Sequence, residues 1–167
     1  MKTMIIIIIC TILFSIGFIW FIDHLIDDGL YFVTGAYEKA TLNQDGNIVI
    51  DEEELYNEST YIIYDYEEAT IGLIAIKNSS GKAIVVVNAS NSCEASPNVF
   101  YIQRNNKFIC QGCQKSFKVS DLEKNIDIEC GLMSIKNRTD IDGKIIIDTK
   151  ELQKLKDKFI NWKGPKE

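Results

Sequence analysis

The chain has 167 residues, which is enough for one domain with a core of ordinary size and an additional segment. Its formal net charge is -6, and its acidic residues are spread along the chain, which argues against nucleic acid as a partner. The chain contains one histidine, His24, so its main part has no imidazole for a Ser-His-Asp or Cys-His catalytic group or for a mixed histidine–cysteine metal site. We therefore expect a protein that is not an enzyme.

An uncharged apolar run at residues 4–22 predicts a membrane anchor. As a helix with a rise of ~1.5 Å per residue it would be roughly 28 Å long, close to the ~30 Å of a bilayer's hydrocarbon core. Lys2 precedes the run and Asp23 follows it, so the amino terminus is expected in the cytoplasm and the rest of the chain outside the cell membrane. No signal-peptide cleavage motif follows closely, so the anchor is expected to be retained, with Cys10 inert inside it.

Four segments are predicted along the chain. Residues 1–24 form the single-pass anchor, residues 25–40 a linker, residues 41–162 an extracytoplasmic cysteine-containing domain, and residues 163–167 a tail. The fold class predicted for the domain is β-rich α+β, a small and mainly antiparallel sheet domain that contains a Cys-x-x-Cys hairpin. One transmembrane helix precedes it.

Residues 45–55 and 142–152 are similar in sequence. Each segment begins with Asp-Gly, continues through alternating isoleucines, and reaches an Asp that is followed three residues later by Glu. Asp-Gly favours a tight turn, and Asp-x-x-Glu is typical of the start of a helix. Each segment is therefore predicted to run from a turn through a strand into a helical turn.

The middle of the chain reads as strands. Residues 60–66 and 70–76 are rich in tyrosine and isoleucine, and residues 82–87 form the most apolar run, which is predicted to be the central strand. The polar residues 88–98, which include Cys93, are predicted to form a loop. Near the end of the chain, residues 152–162 have the apolar spacing of an amphipathic helix, with Leu152, Leu155, Phe159 and Ile160 on one face.

A predicted hairpin places two cysteines, Cys110 and Cys113, close together in space. Residues 99–103 and 107–109 have strand character and flank a polar turn, and the second run ends in Cys110-Gln111-Gly112-Cys113. Two thiols spaced in this way at the end of a hairpin are typical of a metal-binding loop, with Gly112 easing the reversal of the backbone. Cys93 upstream and Cys130 downstream bring the number of available thiols to four.

The residues leave three interpretations of these thiols open. Four thiolates could bind zinc or an iron–sulfur cluster. Two disulfides are the second possibility, because the domain is predicted to be exported. A redox-active Cys110–Cys113 pair is the least favoured, because a thioredoxin-type pair opens a helix whereas this pair ends a hairpin.

The order of several motifs resembles the FtrD-like membrane iron–sulfur protein family. That family typically shows Asp-Ala-Cys-x-x-Cys, then Cys-x-x-Cys-Gly-x-x-Phe, then Cys-Asn-Pro, followed by a similar strand and turn. The resemblance covers about residues 40–159 and is carried by residues 74–81, 88–93, 108–117, Cys130 and 145–152.

This chain departs from the family pattern at three places. Ser90 stands where the first family cysteine would be, Gln114 replaces the glycine after Cys-x-x-Cys, and Gly131-Leu132 replaces Asn-Pro. Four thiols remain, which is enough for one site.

The resemblance implies a membrane-anchored accessory of bacterial ferrous-iron uptake. Such a protein would transfer electrons beside an iron permease and oxidase or other transporter subunits, outside the membrane. Its cofactor would be an iron–sulfur cluster or a single iron or zinc ion, bound by Cys93, Cys110, Cys113 and Cys130. The alternative is an extracytoplasmic binding or structural module that is held together by disulfides and contains no metal.

Overall fold

The computed structural model describes residues 15, 17–18, 37–90, 92–93, 99–124 and 130–164. Two compact units divide the chain, Met1–Thr34 and Gly35–Glu167. Almost all of the predicted anchor, together with Cys10 and His24, lies outside the described residues. Within the described ranges, no helix has the length and apolar character needed to span a membrane. The anchor and its orientation therefore stay predictions.

The second unit is rich in β-structure, and its described strands pair antiparallel except for β1 with β4. Its strands are β1 (Glu38–Lys39), β2 (Thr41–Leu42), β3 (Ile48–Asp51), β4 (Thr60–Tyr66), β5 (Ala69–Lys77), β6 (Ala83–Ser90), β7 (Tyr101–Arg104), β8 (Lys107–Cys110), β9 (Ser116–Lys118), β10 (Leu132–Ser134), β11 (Arg138–Ile141) and β12 (Lys144–Ile147). Its helices are the 3-10 helices Glu52–Glu54 and Val119–Lys124 and the α-helices α1 (Thr149–Gln153) and α2 (Lys156–Phe159). The predicted mainly antiparallel domain is confirmed, and β1 falls within the segment that was predicted as a linker.

A five-stranded sheet of order β1-β4-β5-β6-β10 forms the middle of the domain. Alternate side chains of β5 enter different clusters: Leu73 packs with the sheet β11-β12-β3-β2 and the C-terminal helices, whereas Ile74 packs with the sheet β7-β8-β9. Burial on both faces explains the nearly continuous apolar sequences of β5 and β6. β6 lies inside the sheet as predicted, but β5 takes the middle position.

The two similar segments meet in the four-stranded sheet. Their strands β3 and β12 pair antiparallel, with Ile48 opposite Ile147 and Ile50 opposite Ile145. Each strand leads into a helical turn whose first N–H groups are capped by an aspartate. The Oδ1 atoms of Asp51 and Asp148 accept hydrogen bonds from the backbone N–H two residues ahead, at 3.0 and 2.9 Å. The predicted order of turn, strand and cap is confirmed in both segments.

The C-terminal segment is not the single helix predicted for residues 152–162. Two short helices, α1 and α2, are joined by a turn in which the Leu155 N–H bonds to the Leu152 carbonyl at 2.9 Å. Such three-residue turns are tighter than α-helical ones, so they alter the direction of the side chains that follow. Leu152 and Phe159 are buried as predicted, but Ile160 is 43% exposed, so its predicted place on the buried face is wrong.

Gly72 on β5 accommodates the ring of Trp162. A Cβ atom at position 72 would lie 2.3 Å from Cη2 of that ring, and one at Gly164 would lie 2.5 Å from the same atom. Because the ring sits close to both glycines, it has little room to yield. We expect Gly72→Ala to lower the free energy of unfolding by about 1–3 kcal/mol, the usual cost of overpacking, measured by urea denaturation.

The matched control places Gly72→Ala in a Trp162→Ala background. Removing the indole ring removes the three nearest neighbours of the added methyl group, so Gly72→Ala should cost much less in this background than in the wild-type chain. Equal costs in the two backgrounds would contradict a steric origin.

Candidate metal centre

The structure brings together all four cysteines that the sequence singled out. The Sγ atoms of Cys93, Cys110, Cys113 and Cys130 all lie within 4.8 Å of one another. Cys110 ends β8, Cys113 lies in the turn that follows, Cys93 lies shortly after β6, and Cys130 lies two residues before β10. The cluster therefore lies between the three-stranded sheet β7-β8-β9, called the hairpin sheet below, and the end of the five-stranded sheet formed by β6 and β10.

The hairpin that supplies Cys110 and Cys113 is confirmed, with strands β7 and β8 joined by a turn. Cys110 is held at both backbone groups, since its N–H bonds to the Lys115 carbonyl at 3.0 Å and its carbonyl accepts from the Gln114 N–H at 2.9 Å. Gln114 has a φ of 61°, in the left-handed region that favours glycine. Gln114 therefore holds a backbone conformation that glycine would adopt at lower cost.

Two serines connect the other two cysteines. The Ser90 hydroxyl oxygen accepts hydrogen bonds from the Cys93 N–H at 2.9 Å and the Ser92 N–H at 3.2 Å. The Ser92 hydroxyl oxygen accepts from the Cys130 N–H at 2.8 Å. Because β6 continues to Ser90 and pairs there with Leu132 of β10, the predicted loop begins later than residue 88. The strand end thus sets the positions of both Cys93 and Cys130.

The side chain of Asn88 on β6 links this strand to β7 of the hairpin sheet through hydrogen bonds. Asn88 is fully buried, and its Oδ1 atom accepts a hydrogen bond from the Tyr101 N–H at 2.6 Å. Its Nδ2 group donates to the Tyr101 carbonyl at 3.4 Å and to the Tyr37 hydroxyl at 3.3 Å. The Tyr101 hydroxyl in turn donates to the Cys130 carbonyl at 2.5 Å. One buried amide and one buried phenol thus hold the two cysteine pairs next to each other.

The roles of Asn88, Ser90 and Tyr101 were missed in the sequence, although a signal for two of them exists. Ile84 and Val86 face the cluster that contains the cysteines, and a strand repeats its facing every two residues. Extending that alternation would have directed residues 88 and 90 toward the same side. The polarity of the segment concealed this, because it resembled a loop.

The surroundings of Cys130 and Cys110 shift the pKa values of these two thiols in opposite directions. Burial raises the pKa of Cys130, but hydrogen bonds from Cys113, Ser90 and Tyr101 outweigh it and lower the pKa to about 7. Burial dominates at Cys110 and raises its pKa to about 12. Burial also raises the pKa of Tyr101, which therefore remains a neutral donor.

In the reduced, metal-free protein, thiolate absorbance in the ultraviolet should show a step near pH 7, from Cys130. Because the pKa is lowered from 9.0, the folded state gains stability from this group as the pH rises from about 7 to 9 and loses it as the pH falls through 7. Cys130→Ser should remove this step. A wild-type chain without a step near pH 7 would contradict the assignment.

The donor set suits a metal ion. Four thiolates are a common ligand set for zinc and for iron in iron–sulfur sites, and four cysteines this close could hold a metal. The sulfurs of Cys113 and Cys130 are 3.0 Å apart and those of Cys93 and Cys110 are 4.0 Å apart. Both distances exceed the ~2.05 Å of a disulfide bond.

Comparison with known proteins agrees with this chemistry. Residues 56–159 match the family described as "Membrane iron-sulfur containing protein FtrD-like". Neither the curated proteins nor the solved structures gave a match to the chain. The matched segment covers more than half of the chain and includes all four clustered cysteines, so the chain belongs to the FtrD-like family of membrane iron–sulfur proteins.

Proposed function

We propose that this protein is a membrane-anchored electron-transfer accessory of a ferrous-iron uptake system, with an iron centre bound by Cys93, Cys110, Cys113 and Cys130 outside the membrane. The observation that carries the proposal is the approach of the four Sγ atoms to within 4.8 Å in a chain of an iron–sulfur family. The bound iron would supply one-electron chemistry.

The ligand set favours electron transfer over hydrolysis. A tetrahedral metal ion with four thiolate ligands has no open position at which water could be activated, whereas catalytic zinc sites keep one open. The protein would therefore bind a metal ion and relay electrons rather than act as an enzyme. An iron permease or oxidase, or another transporter subunit, is the partner that fits this role.

The burial of the cysteines suggests where electrons would enter and leave. Cys110 and Cys130 are 0% and 4% exposed, whereas Cys113 is exposed. Each ferrous ion oxidised by a partner releases one electron, and the exposed Cys113 thiolate would be the side on which a partner could approach the centre. The Ser90 hydroxyl donates to the Cys130 sulfur at 3.5 Å, and hydrogen bonds to a ligand sulfur influence the reduction potential of an iron centre.

The test is iron content and reversible redox change in the full chain, purified in detergent without added metal. We expect bound iron whose visible absorption bleaches on reduction with dithionite and returns on oxidation with ferricyanide. Cys113→Ser should lose this signal, and Cys10→Ser should keep it. A colourless chain with its thiols in disulfides would favour the structural alternative and overturn the proposal.

The uptake role is tested in cells that lack the gene. Ferrous-iron uptake should fall and should be restored by the wild-type chain but not by Cys113→Ser expressed at the same level in membranes. Protease added outside spheroplasts should remove the cysteine domain. Normal uptake in the deleted strain, or a domain protected from external protease, would contradict the assigned role or location.

A further inference from the structure

Three cationic residues form a row across the hairpin sheet, at the end where β7 turns into β8. Arg104 of β7 lies opposite Lys107 of β8, and Lys107 lies opposite Lys118 of β9. Residues directly opposite each other in antiparallel strands point to the same face, with Cβ atoms about 4.5–5.5 Å apart. All three residues are exposed. These three residues are called the cationic row below.

The cationic row faces away from the cysteine cluster. Phe108 follows Lys107 on β8, and Phe117 precedes Lys118 on β9. Both phenylalanines are buried in the same cluster as Cys110. Because successive side chains of a strand point to opposite faces of the sheet, the row is a surface distinct from the candidate metal centre.

The arrangement of the cationic row opposes folding rather than supporting it. Like charges directly opposite each other on adjacent strands repel and destabilise the sheet. Asp121 accepts a hydrogen bond from the Lys118 backbone N–H at 3.0 Å, and Glu58 is exposed in a segment that contacts β7. Within the part of the chain that the structure describes, no carboxylate forms an ion pair with the row. Negative charge from another molecule would relieve the repulsion.

The charge around the row is opposite to that of the whole chain. Residues 99–122 contain four basic residues and one acidic residue, whereas the chain has a formal net charge of -6. An acidic partner is therefore repelled by most of the chain and attracted to this segment. Such complementarity orients a partner and accelerates its association.

An exposed tyrosine lies in the segment that borders the row. Gln103, which precedes Arg104 on β7, donates from Nε2 to the Asn57 carbonyl at 3.0 Å and accepts at Oε1 from the Ser59 N–H at 2.7 Å. These bonds hold residues 57–59 against β7, and the preceding Tyr56 is 69% exposed. Tyrosine and arginine are among the residues most enriched in contacts between proteins. The surroundings of the row therefore suit a protein surface.

We propose that the cationic row is a docking surface for an acidic protein partner that presents a row of carboxylates, such as those on successive turns of a helix. Helix residues three or four positions apart have Cβ atoms about 5–6 Å apart, which matches the spacing of the row. An anionic lipid surface fits less well, because it would repel the rest of this acidic chain. The proposal does not depend on a metal at the cysteines.

The test is photo-crosslinking in growing cells, with p-benzoylphenylalanine at position 106 of the full chain. This position is exposed in the turn between Arg104 and Lys107. We expect an adduct with a protein whose crosslinked peptide, mapped by mass spectrometry, carries at least three carboxylates within two helical turns. An adduct with lipid, a crosslinked peptide without such carboxylates, or no adduct would overturn the proposal.

Charge reversal provides the matched comparison. Lys107→Glu combined with Lys118→Glu should lower the adduct yield by about tenfold or more, because the row then repels the partner. Lys82→Glu combined with Lys150→Glu makes the same change in net charge at exposed residues elsewhere and should retain the adduct. Equal yields from the two double variants would overturn the docking role of the row.

A milder variant separates docking from folding and from metal binding. Lys107→Gln should lower the adduct yield without lowering the midpoint of urea denaturation, since it removes a repulsion across the strands. A lower midpoint would show that the row stabilises the fold and would overturn the proposal. Iron content should equal that of the wild type in every variant, so a chain without iron would contradict the proposed function and leave these outcomes readable.

Discussion

Cys110→Ser and Cys113→Ser should remove the metal from the full chain to the same extent. Each substitution replaces one of four clustered thiolates by a hydroxyl, a much poorer ligand for zinc or iron. Metal binding at structural thiolate sites is worth ~10–16 kcal/mol in small domains, so its loss should also lower the thermal stability of the domain. Metal analysis and the melting temperature of the two variants measure the effect.

Cys10→Ser is the matched control for these variants. Cys10 lies in the predicted anchor, far along the sequence from the clustered thiols, and its substitution should change neither metal content nor melting temperature. If all three substitutions left metal content and melting temperature unchanged, the assignment of Cys110 and Cys113 as metal ligands would be contradicted. A metal chelator should lower the melting temperature of the wild-type and Cys10→Ser chains and have little effect on the other two.

Asn88→Ala should destabilise the domain and weaken metal binding together. The substitution leaves the buried Tyr101 N–H without its acceptor at 2.6 Å, at a cost of about 1–3 kcal/mol. It also releases the link that holds β7, and with it the hairpin that carries Cys110 and Cys113, against β6. Urea denaturation measures the first effect, and competition with a chromophoric chelator measures the second.

Asn106→Ala is the control for this prediction. Asn106 lies in the exposed turn between β7 and β8, and it contributes its backbone carbonyl to a hydrogen bond with the Val119 N–H, which the substitution retains. Its free energy of unfolding should stay within about 0.5 kcal/mol of the wild type, as is usual for surface changes. An Asn88→Ala chain with wild-type stability and metal affinity would contradict the positioning role.

Local patterns in the sequence were sufficient for most of the strands. β4 matches its predicted bounds, and the repeated Asp-Gly segments form the predicted turns, strands and capped helical starts. These features depend on residues within a few positions of each other, such as turn formers, alternating side chains and an N-terminal cap. The prediction of a single C-terminal helix was wrong because a tighter turn, closed by the bond from the Leu155 N–H to the Leu152 carbonyl, divides it, and apolar spacing does not reveal such a turn.

The sequence by itself determined the hairpin, the four candidate thiols and the family, because a short spacing and the order of motifs are properties of the chain. Only the tertiary structure decided that those thiols meet within 4.8 Å and that β5 lies in the middle of the domain. It also decided that Asn88, Ser90 and Tyr101 hold the cluster together. The physical reason is that these contacts connect different sheets, and their partners depend on how the sheets pack rather than on neighbouring residues.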